Sequence, residues 1–202
     1  MAEGWTNTTH DWQASVDRAH LLLIGREPDS FAPGGVRHLL HEVLAYVADE
    51  VKAIDGGSPR CDVALLVDGS LCVRDYGRGT DTRHDEDGRV VRKPVMATKD
   101  LRFFNVPEGP TLPDGHPRKG MSVVSALSEW LLHENRRLDG GWGQRYQRGV
   151  PLDNLVELAP DGSTGTLVHL LPKKGLLPLS ERDLASLHTA WPLLDITCRS
   201  SD

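Results

Sequence analysis

The chain has 202 residues, 39% of them hydrophobic and 26% charged, with a formal net charge of -6. That length suits one well-packed domain, so residues 1–202 are read as a single unit, and the acidic balance argues against non-specific nucleic-acid binding. No apolar run approaches the roughly 20 residues that cross a bilayer, and Met1 to His10 lacks the basic-then-apolar order of a secretory signal, so the cytoplasm is the default.

In chain order, residues 11–24 read as a short amphipathic helix, and Gly25 to Gly35, with two prolines and two adjacent glycines, as a loop. Val36, Leu39, Leu40, Val43, Leu44, Val47 and Val51 recur at the spacing of one helical face, which predicts a helix buried along that stripe. Cys61 to Val67 is rich in β-formers and ends at Asp68-Gly69, a two-residue hairpin signal, with Ser70 to Asp75 as the returning strand. Residues 80–92 read as a charged loop, residues 94–104 as a helix and residues 105–118, with four prolines, as irregular. Lys119 to about Glu134 reads as helix, since Met121, Val124, Leu127, Trp130 and Leu131 fall on one side. Strands are expected at Arg145–Gly149, Asn154–Leu158 and Gly165–Leu171, and a capped helix from Ser180 to about Trp191. This order predicts an α/β layered domain on a mixed, mostly antiparallel sheet, not a doubly wound parallel one. Cys61, Cys72 and Cys198 are too few and too scattered for a disulfide framework or zinc cluster, and the first two read as core thiols. Arg136, Arg137, Arg145 and Arg148 could form a local basic patch.

Four separated pieces carry candidate chemistry. On the long helix, Glu42, Tyr46 and Asp49 or Glu50 lie about one turn apart along one side, where a carboxylate could act as a general base or simply be solvated. Asp75 ends a strand before Gly77-Arg78-Gly79, whose glycines permit close approach of a ligand. Gly115-His-Pro-Arg118-Lys119-Gly120 leads into a helix whose first amides could hold an anion. Ser163-Thr-Gly-Thr166 feeds a strand with hydroxyls able to bond a ring.

In this order and at these separations the pieces resemble the N-terminal ATPase domain of the DNA gyrase B subunit and topoisomerase IV, within the gyrase, heat-shock-90, histidine-kinase and mismatch-repair ATPase superfamily. The resemblance runs from about Leu22 to Pro172 and includes Gly34-Gly-Val-Arg-His-Leu-Leu-His-Glu-Val43, Ser122-Val-Val-Ser-Ala-Leu-Ser128 and Tyr146-Gln-Arg-Gly-Val-Pro151. It implies a two-layer sandwich of helices on the sheet, the Bergerat-type ATP-binding fold. It implies that Glu42 stands at the general base, Asp75 at the acid that receives the adenine amino group, Gly79 beside the adenine and Thr166 at the base-binding end. Glu50 and Arg78 match an ion pair that floors the adenine pocket.

Three departures from the family pattern shape the functional expectation. Tyr46 stands where the family has an asparagine that coordinates Mg2+, and a neutral phenol is a poor ligand for that hard ion. Pro117 removes an amide from the phosphate-wrapping lid, where Arg118 and Lys119 could instead hold an anion through side-chain charge. The 202 residues leave no room for transducer, toprim or DNA-cleavage regions. ATP, ADP or another small ligand is therefore expected in the cleft with weak or no hydrolysis, no metal site, and neither DNA nor membrane as a direct partner. The alternatives are a repurposed or slow enzyme using Glu42 as base, and a pseudo-ATPase module that binds another protein.

Overall fold

The computed structural model describes residues 16–52, 60–82, 84–91, 93–104, 109–152 and 154–200. The first five positions of the expected N-terminal helix lie outside these residues. Helix α1 spans Arg18–Arg26, with the Asp17 side chain accepting from the His20 N–H. A short helix, α2, occupies Pro28–Phe31 inside the stretch expected to be loop; Pro28 stands at its start, where a missing N–H costs nothing. Helix α3, Val36–Lys52, is the long helix that the apolar stripe requires. Leu39, Leu40, Val43 and Leu44 on it are fully buried.

Among the described residues, eight strands, β1 (Arg60–Leu65), β2 (Leu71–Asp75), β3 (Ser128–Arg137), β4 (Gly140–Gln147), β5 (Val150–Pro151), β6 (Val156–Leu158), β7 (Gly165–Pro172) and β8 (Asp195–Ser200), form one sheet in the order β5-β4-β3-β7-β2-β1-β8, with β6 paired to β4. The Asp68-Gly69 turn joins β1 (Arg60–Leu65) to β2 (Leu71–Asp75), with Gly69 at φ +80° and the Asp68 carboxylate accepting from the Ser70 N–H. The expected helix over 94–104 reduces to one 3-10 turn at Pro94–Met96. The Asp100 carboxylate then bonds the Arg102 N–H at 3.1 Å, offering the backbone a turn in place of helix.

Helix α4 is confined to Met121–Ala126, and the chain continues as strands β3 (Ser128–Arg137) and β4 (Gly140–Gln147). The helical reading of residues 127–134 is thus corrected. Leu131, His133 and Asn135 point alternately inward along β3, so the buried face of this strand is two-thirds polar and conceals its period of two. Strand β5 is Val150–Pro151, β6 is Val156–Leu158 and β7 is Gly165–Pro172. The expected strand Arg145–Gly149 is only the end of β4 and the turn beyond it. The capping box at Ser180 and Asp183 is present, but the helix there is broken at Ser186 into α5 (Glu181–Ala185) and α6 (Leu187–Ala190). A last strand, β8 (Asp195–Ser200), pairs parallel to β1, while the other pairings are antiparallel.

The sheet face under the helices changes character along the strands. One row across it is Leu71, Leu170, Leu131 and Tyr146, all buried. The next is Val63, Val73, Val168, His133 and Gln144. The row beyond holds Cys61 beside Asp75, and Thr166 beside Asn135 and Trp142. The core is therefore apolar at one end of the strands and polar at the other. Cys61 is buried, as expected, whereas Cys72 is only half-buried. Leu131→Ala, in the middle of the apolar row, is expected to lower unfolding free energy by about 2–5 kcal/mol; urea denaturation should show a lower midpoint at unchanged slope.

Candidate functional site

The polar end of the sheet, α3 and the loop before α4 meet around the predicted residues. Asp75 closes β2 with its carboxylate held on both oxygens: Oδ1 accepts from the Gly77 N–H at 2.9 Å, and Oδ2 from the Thr166 N–H at 2.9 Å and from the Thr166 hydroxyl. This approach requires Gly165, which sits at φ +112° and whose Cβ would stand 2.1 Å from the Asp75 carbonyl oxygen. Gly79, at φ +75°, is needed for the same reason, because a Cβ there would stand 2.3 Å from the Arg136 carbonyl. Beside it the Asn135 side chain bonds Thr80 in both directions, Oδ1 accepting from the Thr80 N–H at 2.7 Å and Nδ2 donating to its carbonyl at 3.1 Å. Asn135 is not among the residues singled out from sequence, because most of the strand that carries it reads as a helix ending at about Glu134.

Glu50 and Arg78 form an ion pair at 3.3 Å, and Arg78 also holds Asp81 at 2.8 Å. Burial raises the Glu50 pKa despite the nearby Lys93 and Arg78 charges, and burial lowers that of Lys93 to about 8. Tyr46 is buried, and burial pushes its phenol pKa upward, so it is neutral. Its ring stands edge-on to His133 at 5.9 Å, and His133 edge-on to Trp142 at 5.1 Å. Neither His133 nitrogen nor the Tyr46 hydroxyl, which has Thr80 close by, has a well-formed hydrogen bond among the described residues.

Glu42 is fully buried and takes the Lys119 N–H on one carboxylate oxygen and the Gly120 N–H, at 2.9 Å, on the other. His38, one turn earlier on α3, faces it at 3.5 Å, longer than a hydrogen bond but close enough for charge attraction. The other ring nitrogen of His38 meets Asp114 at 2.7 Å. Arg118 is clamped on both guanidinium ends to Asp49, at 3.0 and 2.9 Å, and lies 4.4 Å over the Phe103 ring. The Lys119 amine lies over Phe104. His38, Asp49 and Asp114 are the partners that bind the loop to α3. Asp49 was visible on the helix face, but nothing in the spacing linked Asp114 to His38. His41, by contrast, accepts a bond from the Trp191 indole. Of the four arginines that could form a basic patch, Arg136, Arg137 and Arg148 are each paired with acids. No helix of the described residues is long and apolar enough to cross a membrane, and no group of three or more His, Cys, Asp or Glu among them could hold a metal ion.

A helix-backed, mostly antiparallel sheet with its polar end facing a helix carboxylate and a glycine-flanked loop defines a domain of the Bergerat ATP-binding fold. The 43K ATPase domain of Thermus thermophilus gyrase B, solved in complex with an aminocoumarin, superposes with a TM-score of 0.67 at 26% identity, over 89% of this chain and 48% of that one. The DNA gyrase B subunit of Thermotoga maritima is 31% identical over 172 residues, 80% of this chain and 27% of the relative. The DNA topoisomerase 4 B subunit of Streptococcus pneumoniae is 33% identical over 141 residues, 68% of this chain and 22% of the relative. Over most of its length the chain belongs to the ATPase-domain family of the gyrase and topoisomerase IV B subunits, and it spans about a quarter of the length of these curated relatives. No family model matches it.

Two outcomes test this geometry. Gly165→Ala places a side chain at a left-handed φ and against the Asp75 carbonyl, and should cost about 1–3 kcal/mol in a urea titration. The second is a pH effect. Burial alone would lower the His38 pKa, but its bond to Asp114 and the adjacent Glu42 carboxylate outweigh it and hold it at about 9. A raised folded-state pKa gives stability that is complete below the unfolded value near 6.5 and is lost as pH rises through 9. The stability difference between the unaltered protein and His38→Gln should therefore shrink from pH 6.5 to 9. His20 and His133, both lowered by burial, tilt both proteins the opposite way below pH 6.5 and drop out of the difference, and His41, lowered to about 4, titrates below the range compared.

Proposed function

We propose that this chain is a gyrase-B-like domain that holds an adenine-type ligand, as ATP, ADP or a related small molecule, at the Asp75–Thr166 end of its cleft, with weak or no hydrolysis. The supporting observation is the Asp75 carboxylate, fixed on both oxygens by Gly77 and Thr166. A carboxylate offers about four lone-pair sites, and the three N–H and O–H donors leave one for a ligand amine. Gly79 and Gly165 let the backbone pack closely around Asp75 and Asn135, which fixes the position of the acceptor. The Glu50–Arg78 pair, with Arg78 partly exposed, closes this end of the cleft.

Weak turnover follows from the other end. The Glu42 carboxylate accepts two amide bonds and is fully buried beneath the Lys119–Gly120 backbone, so water does not reach its remaining lone pairs. The groups present also do not fit Mg2+: Tyr46 offers a buried neutral hydroxyl, and a strictly octahedral ion needs hard oxygen ligands with room for water. The chemistry of the site is therefore recognition of a base, with Glu42 serving to close the loop. A reading as an enzyme of another class would need Glu42 released from Lys119 and Gly120.

The test is a thermal-shift and calorimetric titration with adenosine and ADP, with and without Mg2+. Binding of at least one adenine compound is expected, unaffected by Mg2+. Asp75→Asn should weaken it at least tenfold, because the ligand amine would face an amide in place of a carboxylate acceptor. Absence of heat and of any shift with both compounds would sink the reading. Phosphate release from ATP above the blank, abolished in Glu42→Ala, would replace it with a slow ATPase.

A further inference from the structure

We propose that the loop Thr111–Gly120 is a latch that shuts the phosphate end of the cleft, so that the ligand selected is an adenine-type compound without a phosphate tail, a nucleoside or free base. This rests on the base-recognition role of Asp75 proposed above and names the ligand class.

A loop cradles phosphate with backbone N–H groups that are otherwise unsatisfied. From Gly115 to Gly120 none is left. The Gly115 N–H donates to the Leu112 carbonyl at 2.9 Å, and the His116 N–H to the Asp114 carboxylate at 3.0 Å. Pro117 has no N–H, and the Arg118 N–H donates to the Pro110 carbonyl at 2.8 Å. The Lys119 and Gly120 amides, next to the start of α4, are both taken by Glu42. A phosphate entering here must displace a buried carboxylate and then lie against it.

The loop's guanidinium is engaged as thoroughly as the amides, while the Lys119 amine lies over the Phe104 ring. Arg118 is only 9% exposed and forms a bidentate pair with Asp49, which Arg102 also approaches at 3.3 Å. Bidentate arginine–carboxylate pairs are among the stronger charge-assisted contacts, and the Phe103 ring beneath Arg118 adds to this one. At the other end of the loop Asp114 holds His38 at 2.7 Å. The loop is thus tied to α3 at His38, Glu42 and Asp49, three points one to two turns apart. The base end carries no such closure. Asp75 keeps its spare acceptor, and no loop amide or arginine is bonded to it among the described contacts.

Isothermal titration of the unaltered protein with adenosine and with ATP, each with and without Mg2+, separates the possibilities. Adenosine is expected to bind at least as tightly as ATP. Asp49→Ala, which frees Arg118, should raise ATP affinity at least fivefold while leaving adenosine within twofold. ATP binding tenfold tighter than adenosine to the unaltered protein would overturn the latch and leave the Asp75 reading intact; binding of neither would remove both. Amide hydrogen exchange of Lys119 and Gly120 gives a check without any variant. Protection is expected in the free protein, and exchange at the rate of an open loop would overturn the proposal.

Discussion

A carboxyl group with no exposure to solvent has to be answered by donors, because an unmet polar group in the interior costs several kcal/mol. Glu42 lies in that position at the centre of α3, and its donors come from Lys119 and Gly120, far along the chain. That one requirement sets the path of the loop before α4, since both amides must turn toward the helix at the same time. The Asp114–His38 and Arg118–Asp49 contacts then follow on either side. Arg118 in turn brings in Phe103, and so orders the segment after the 3-10 turn. The loop conformation is thus a consequence of where a carboxyl group was buried.

The same logic organises the sheet. Its strands are held at one end by leucines and Tyr146, an ordinary apolar layer. At the other end Asp75, Thr166 and Asn135 lie side by side, and each is bonded to a neighbour within the described residues. A polar row can persist in the interior only when its members satisfy one another. That mutual bonding makes a rigid, acceptor-rich floor where a core would otherwise continue. Tyr46 and His133 separate the two regimes. Their aromatic contact fills space between α3 and the sheet, and both are neutral because burial disfavours their charged forms.

Much of this was legible before any coordinates. The stripe from Val36 to Val47 announces α3, Asp68-Gly69 announces the first hairpin, and Ser180 with Asp183 announces a capped helix. Each is a local signal: a period, a turn dipeptide or a box of two residues. The failures are equally physical. Strand β3 reads as helix because His133 and Asn135 occupy inward positions that an alternating pattern assigns to apolar residues. Strand β4 is half hidden by its glycines, and glycine stands at Gly141 because a Cβ would come within 3.1 Å of the Asn135 carbonyl. Strand β8 depends on a parallel partner, β1, more than a hundred residues away.

By itself the sequence determined the order of most elements, because those rest on residue type and local spacing, and its resemblance to the gyrase B ATPase domain pointed to the family and to Glu42, Asp75, Gly79 and Thr166 as candidates. Only the tertiary structure decided what these residues touch. The pairing of Glu42 with two distant amides, of Arg118 with Asp49 and of Asn135 with Thr80 depends on separations of 55 residues or more. No local preference encodes such contacts; they arise when burial forces each polar group to find the nearest group able to satisfy it.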